Sequence, residues 1–293
     1  MRVTEGLKYQ NISRTLSNLS SQQNEAARQA LSGSRVSAPS DDPIAAAELI
    51  RNRSAQARLE AQRQTVRHTL GDTEQAESAL AEASDVFSRA RELAMQGANG
   101  SLSAGERDSL AESVRHLREQ LVNLGNTKGT RGYLFAGSQT STLPFDDRGD
   151  FFGDGTDITV DLGSTGPTVI DLGGSEAFTA AGGRNVFADL DALETALSAN
   201  DPAGVAASLD GLEASQKQLT QVRARVGLLS EKLRTSDALL EQTNVNLAAQ
   251  DERVSQADPF AAYSKMSALS QSLEQAVTVS RQILDLGTLN RFR

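Results

Sequence analysis

Cysteine and tryptophan are absent from this chain, and aromatic residues make up only 4% of it. Without cysteine there are no disulfides, thiolate metal sites or cysteine nucleophiles, while the redox compartment stays open because such a chain suits either. The two histidines, His68 and His116, fall on separate predicted helices, so they read as helix-surface residues and not as a metal or catalytic pair. With no nucleophile, base and metal ligand in a recognisable constellation, nothing points to an enzyme or a cofactor. No run approaches the ~18 apolar residues of a membrane span. Met1 to Gly6 lack the charged and apolar regions of a Sec-type signal, so if the protein leaves the cell it does so by another route.

What is abundant is Ala, Leu, Ser, Gln and Glu, the composition of long helices with narrow seams, and an elongated architecture is expected. The 29 bases are outnumbered by 38 acids. Residues 141–200 alone hold nine Asp and two Glu against Arg148 and Arg184, which accounts for the net charge of −9. That stretch should face water. The rest of the chain is balanced, so copies can pack side by side, and nucleic acid is excluded as an expected partner.

Helix starts are punctuated by Asp-Pro at Asp42-Pro43, Asp201-Pro202 and Asp258-Pro259, in which Asp accepts from free amides and Pro pre-sets the first helical φ. Ser103 and Glu106 have capping-box spacing just after the break at Gly97-Ala98-Asn99-Gly100. Between these signals run two seams. From Pro43 to about Gln96, Leu59, Val66, Thr73, Leu80, Phe87 and Ala94 recur every seven residues; from 202 to 257, Val205, Leu212, Leu219, Val226, Leu233, Leu240, Leu247 and Val254 do the same. Both helices are expected to reach ~80 Å and to pack antiparallel, with a third helix on Leu110, Val114, Leu117, Leu121 and Leu124.

Glycines cluster between 130 and 184, where 157–162 and 168–172 alternate as short strands, predicting a small β-rich insertion. Asp146, Asp147, Asp150, Asp154 and Asp157 lack the ligand order of a calcium loop, so a solvated acidic loop is expected. Arg148-Gly149-Asp150 and Gly153-Asp154-Gly155 are too short to carry adhesion or phosphate binding. A short helix on Val186, Leu190, Leu193 and Leu197 leads back to the bundle.

Both chain ends carry single amphipathic stripes at four-three spacing: Ile12, Leu16, Leu19 and Ala26 at the start, Met266, Leu269, Leu273 and Ile283 at the end. Each is too thin to fold alone, so the ends are expected to partner each other and neighbouring subunits. The expected organisation is a terminal helix and bend at 1–42, an outgoing helical core at 43–132, the acidic insertion at 133–184, a returning core at 185–257 and a terminal helix at 258–293.

Four segments resemble the flagellin family. Leu31 to Val36 followed by Ser40-Asp41-Asp42-Pro43 is similar to its bend, and Arg89 to Gln96 with Ala98-Asn99-Gly100 to its core helix. Gly132-Tyr133-Leu134-Phe135-Ala136-Gly137 resembles the motif typical of the hook-associated protein 3 members. The ending, Leu284 to Arg293, resembles the family's closing segment, with Gly287 and Asn290 where hydrophobes are the pattern. The resemblance implies a mainly α, antiparallel long-helix bundle and a structural subunit joining hook to filament. It further implies a ring of copies contacting the first hook-associated protein and flagellin, and type III export with a chaperone, to an extracellular location. A flagellin filament subunit and an intracellular coiled-coil scaffold are the alternatives.

Overall fold

The computed structural model describes residues 2–154, 156, 158–161, 166–170 and 172–289, with side chains described except at 2–5, 8 and 284–289. The order is α1 (Arg2–Ser32), α2 (Pro43–Gly97), α3 (Ala104–Gly125), β1 (Lys128–Gly129), β2 (Gly132–Tyr133), β3 (Ile158–Asp161), β4 (Pro167–Ile170), α4 (Gly174–Phe178), a 3₁₀ turn (Ala180–Gly182), α5 (Val186–Ser198), α6 (Pro202–Ser255) and α7 (Pro259–Leu289). The chain is mainly α with a small strand-containing region. Each Asp-Pro signal starts a helix. Asp42 Oδ1 accepts from the Ile44 and Ala45 amides at 3.1 Å, Asp201 Oδ1 from Ala203 at 3.1 Å, and Asp258 Oδ1 from Phe260 at 2.9 Å. Ser103 and Glu106 form the reciprocal capping box of α3.

Two compact units divide the chain, residues 1–57 with 244–293 and residues 58–243, and α2 and α6 contribute to both. In the first, α1 packs on α7, and the start of α2 meets the end of α6 through Asn52–Asp251 and Gln250–Glu48 hydrogen bonds of 2.8 Å. The terminal helices are thus partnered by each other. In the second unit α2 and α6 run antiparallel, as the ion pairs Arg67–Asp237 (3.2 Å), Glu74–Arg234 (2.7 Å) and Arg91–Glu213 (3.5 Å) step in opposite directions along the two helices. Helices α3 and α5 pack together beside them.

The core of this second unit joins Ala76, Leu80, Ala83, Phe87 and Ala94 of α2 with Val205, Leu212, Leu219 and Val226 of α6, and with Val114, Leu121, Leu190 and Leu193 of α3 and α5. Each fully buried Leu or Val contributes ~1.5–3 kcal/mol, which is why a narrow stripe suffices when four helices share it. Three buried polar side chains close the joints. Arg107, 3% exposed, donates to the carbonyls of Gly97, Asn99 and Leu102 and to Asn200 Oδ1, satisfying acceptors left free where α2 ends. Asp72 accepts from the amide and hydroxyl of Thr130 and from Arg131 Nε in the β1–β2 turn. Gln218 donates to the Ala177 and Arg184 carbonyls and accepts from the Arg184 amide, holding the α4–α5 segment on α6.

Among the described residues, helix is more frequent than the sequence suggests between 133 and 184. The β1–β2 pair joins Lys128 to Tyr133, β3–β4 is a four-residue antiparallel hairpin, and α4 occupies Gly174–Phe178. Five-residue α4 carries no periodicity legible in sequence, since its apolar anchors are Ala177 and Phe178 alone. Asp157, Leu162 and Asp171, expected at strand ends, and Gly155 lie outside the described residues.

Candidate assembly surface

The end of α1 and the start of α7 meet through the segment 33–42. Gly33, at φ 68°, turns the chain where a side chain would be strained, and its carbonyl accepts from the Ala257 amide at 2.9 Å. The Arg35 amide donates to the Ser255 carbonyl at 2.6 Å. These bonds join the residues that follow α1 to those at the α6–α7 junction, and because α1 and α7 pack on each other from there, the two helices lie antiparallel. Along their contact Ala26 and Ala262 are buried, and Ile12, Leu16, Leu19, Met266, Leu269 and Leu273 are half-buried. Ile283 stays 42% exposed. A helix pair covers only one side of each stripe, so burial stops halfway. Leu7, Tyr9, Phe260, Tyr263 and Val279, outside the stripes read from sequence, are exposed as well.

The bend itself is held by charge. Arg35 Nη1 pairs with Asp42 Oδ2 at 2.8 Å while its Nη2 donates to the Val254 carbonyl at 3.1 Å. Asp41 Oδ2 accepts from the Ser37 and Ala38 amides at 3.0 and 2.8 Å. Hydrogen bonds from the Ala38 and Ser37 amides hold the Asp41 carboxyl below its ordinary value, and Arg35 together with the Ala45 amide does so for Asp42. Pro43 follows as the exposed first residue of α2. Sequence reading quotes Arg35 within the bend but misses its role, because its carbonyl partner lies 219 positions away.

In the second unit the segment Gly132 to Gly137 seats an aromatic cluster. Leu134 and Phe135 are buried, and Phe135 meets Phe178 edge-on with ring centroids 5.3 Å apart. Phe145 stands 5.3 Å from Phe151, 5.3 Å from Phe178 and 5.2 Å from Phe187, making it the hub. Tyr133 is half-buried at the edge with Lys128 Nζ 4.7 Å above its ring, and Gly137 turns at φ 69°. Of the seam residues, Val66, Leu80, Phe87, Val205, Leu212, Leu219, Val226, Leu233 and Leu240 are buried, while Leu59 and Leu247 are half-buried.

Elsewhere the side chains act as turn and surface chemistry. Asp146 Oδ1 accepts from the Arg148 and Asp150 amides at 2.9 Å, and Asp154 Oδ1 from Ser138 at 2.8 Å and Thr156 at 3.1 Å. Both histidines are exposed, His116 between Glu112 and Glu119. Among the described residues no group of three or more His, Asp or Glu is placed to hold a metal ion, and no helix is long and apolar enough to cross a membrane.

The bend, most of the terminal helix pair and the segment Tyr133 to Phe135 fall inside regions shared with known proteins. Residues 4–140 match the bacterial flagellin N-terminal helical region, and residues 209–286 the bacterial flagellin C-terminal helical region. The chain is 33% identical to flagellar hook-associated protein 3 of Escherichia coli (strain K12) over 269 residues, 82% of this chain and 83% of that protein. The chain belongs to the flagellar hook-associated protein 3 family. Its likeness to flagellar hook-associated protein 3 of Salmonella typhimurium is 30% identity over 263 residues, again 82% and 83% of the two chains. The fold matches that of FlgL from Bacillus cereus, with a TM-score of 0.59 at 21% identity over 69% of this chain and 99% of that one. Of the ending that resembles the closing segment of the hook-associated protein 3 family, the side chains from Leu284 and all of 290–293 lie outside the described residues.

Proposed function

We propose that this chain is a structural subunit of the bacterial flagellum that joins the hook, through the first hook-associated protein, to the flagellin filament. Membership of the hook-associated protein 3 family supplies the place. The observation that carries the mechanism is the half-buried stripe along α1 and α7, which a single pair of helices leaves open on one side. Copies docking Ile12, Leu16 and Leu19 with Met266, Leu269, Leu273 and Ile283 beside their neighbours bury that surface and close a ring, while Ala26, expected on the same surface, is already buried within the subunit. The seam residues buried from Val66 through Leu240 then keep each subunit stiff enough to transmit torque. The role is mechanical, with no catalysis, cofactor, nucleic acid or membrane.

Assembly outside the cell requires passage through the flagellar type III apparatus, with a chaperone holding the unfolded chain beforehand. A cysteine-free chain built on local helices suits that route, because short-range contacts re-form quickly after transport. The test is twofold. A gene deletion is expected to leave hooks intact while flagellin monomer is shed into the medium; an intracellular scaffold would leave flagella unchanged, and a filament subunit would leave none to shed. Leu16→Asp or Leu273→Asp is expected to keep residues 58–243 folded by circular dichroism yet block filament attachment. Normal filaments on either variant overturn the assembly surface.

A further inference from the structure

The turn between α2 and α3 carries the one asparagine of the chain that is followed by glycine, Asn99-Gly100. Both residues are exposed. Nothing lies within 4 Å of where a Cβ on Gly100 would stand, and among the described residues the Gly100 amide donates to no acceptor. The oxygens of Asn99 are held instead. Its side-chain Oδ1 accepts from the Ser101 amide at 3.1 Å and from the Ser101 hydroxyl at 2.9 Å, and its main-chain carbonyl accepts from Arg107 Nη2 at 2.7 Å and the Leu102 amide at 3.2 Å. A free backbone nitrogen thus follows directly on a side-chain amide whose oxygen faces two donors, and such donors stabilise the negative charge that gathers on a carbonyl oxygen under attack. Glycine supplies the backbone freedom to bring that nitrogen onto the side chain.

We propose that Asn99 is a self-modifying site, which loses its side-chain amide in the folded protein and becomes isoaspartate. The Gly100 nitrogen attacks Asn99 Cγ and gives its proton to water; the Cγ–Nδ2 bond breaks, ammonia leaves, and a succinimide ring closes. Water then opens the ring at one of two carbons. Addition at Cγ breaks its new bond to the Gly100 nitrogen and yields aspartate. Addition at the main-chain carbonyl carbon breaks that carbon's bond to the same nitrogen, so the chain runs through Cβ and Cγ and the main-chain carboxylate is set free. Arg107 favours the second route, because its guanidinium already donates to that oxygen and the carboxylate formed there stays paired with it. Overall water is consumed and ammonia released. The α2–α3 turn gains a backbone methylene and a negative charge, while the Arg107 joint keeps its acceptor. The reaction needs no partner, so it stands apart from the assembly role.

The full chain, incubated at neutral pH, is sampled by peptide mass spectrometry, with isoaspartate read by isoaspartyl methyltransferase labelling. Asn99 is expected to lose its amide about a hundredfold faster than Asn126, which precedes the β-branched Thr127 and whose Nδ2 is engaged by the Phe145 carbonyl. The same chain in urea gives the rate that the local sequence alone allows, and the native rate is expected to equal or exceed it. Ser101→Ala is expected to slow native conversion about tenfold and to leave the rate in urea unchanged. The isoaspartate share is expected to be higher from the native chain than from urea. An intact Asn99 amide in the native chain after the urea sample has converted overturns the proposal, and so does Ser101→Ala with an unchanged native rate. An equal isoaspartate share in the two conditions overturns the part given to Arg107.

Discussion

The two units bury different kinds of residue. Among the described residues of 1–57 and 244–293 the buried hydrophobic ones are Ala26, Ala45, Ala46, Leu49, Ala257 and Ala262, so of these only Leu49 is larger than alanine. In residues 58–243 the buried set includes Phe87, Phe135, Phe145, Phe178 and Phe187 with Leu and Val from every long helix. Exposure runs the other way: ten of the sixteen large exposed hydrophobics among the described residues fall in the shorter unit. Charge separates them too, with 12 bases against 10 acids in the first unit and 17 against 28 in the second. Burial of Ala releases little free energy, whereas Phe and Leu supply most of what folding needs. The second unit therefore has the means to hold itself together, while the first is near neutral and leaves ten large hydrophobic side chains exposed among its described residues.

The sharpest way to break that contrast is to remove one of the two phenylalanines that each meet three other rings in the self-sufficient unit. Phe178 touches Phe135 and Phe145 at 5.3 Å and Phe187 at 6.0 Å, so Phe178→Ala is expected to cost ~3–5 kcal/mol in urea unfolding followed by circular dichroism. A loss under ~1 kcal/mol would mean that the aromatic cluster does not organise the unit. Asp42→Ala is the smaller, complementary change. It removes the cap on Ile44 and Ala45 and the partner of Arg35, and ~1 kcal/mol of local stability should go from the first turn of α2. Hydrogen exchange should rise at residues 44–50 and stay constant at 76–94; a matching rise at 76–94 would show that the two regions do not respond separately.

What the sequence disclosed differs between the units for physical reasons. The seams were legible because a seven-residue repeat is a local property, and the Asp-Pro starts because a cap reaches only two or three residues ahead. The thin terminal stripes were legible too, though their extent was not: Tyr9, three residues before Ile12, continues the four-three pattern yet is exposed, while Phe260 and Tyr263 stand off it and are exposed on α7. The joints were invisible. Arg107 looks like any helical arginine until Asn200 is brought to it across 93 positions, and Asp72 looks like a surface acid until the β1–β2 turn folds over it. Gathering Phe135, Phe145, Phe151, Phe178 and Phe187 into one cluster likewise depends on long-range placement of short, aperiodic segments.

The smallest effect tests whether the acidic loop of the second unit is ordered by its own side chains. The Asp154 carboxyl is drawn from 3.8 down to about 2, first by the Ser138 hydroxyl, then by the Thr156 amide, with the Ser138 amide adding to both. A depressed carboxyl stabilises the loop fully above its unfolded value, and that contribution drains away as pH falls from about 3.8 through about 2. Ser138→Ala deletes the first of these donors and keeps the backbone. The Asp154 titration, followed by carboxyl carbon NMR, is then expected to move up towards 3.8, so that the loop loses its support at a higher pH. Because Asp154 is exposed, global stability at neutral pH should barely change. A titration still centred near 2 in the variant would assign the depression to the amides of Thr156 and residue 138 and leave the hydroxyl without a role.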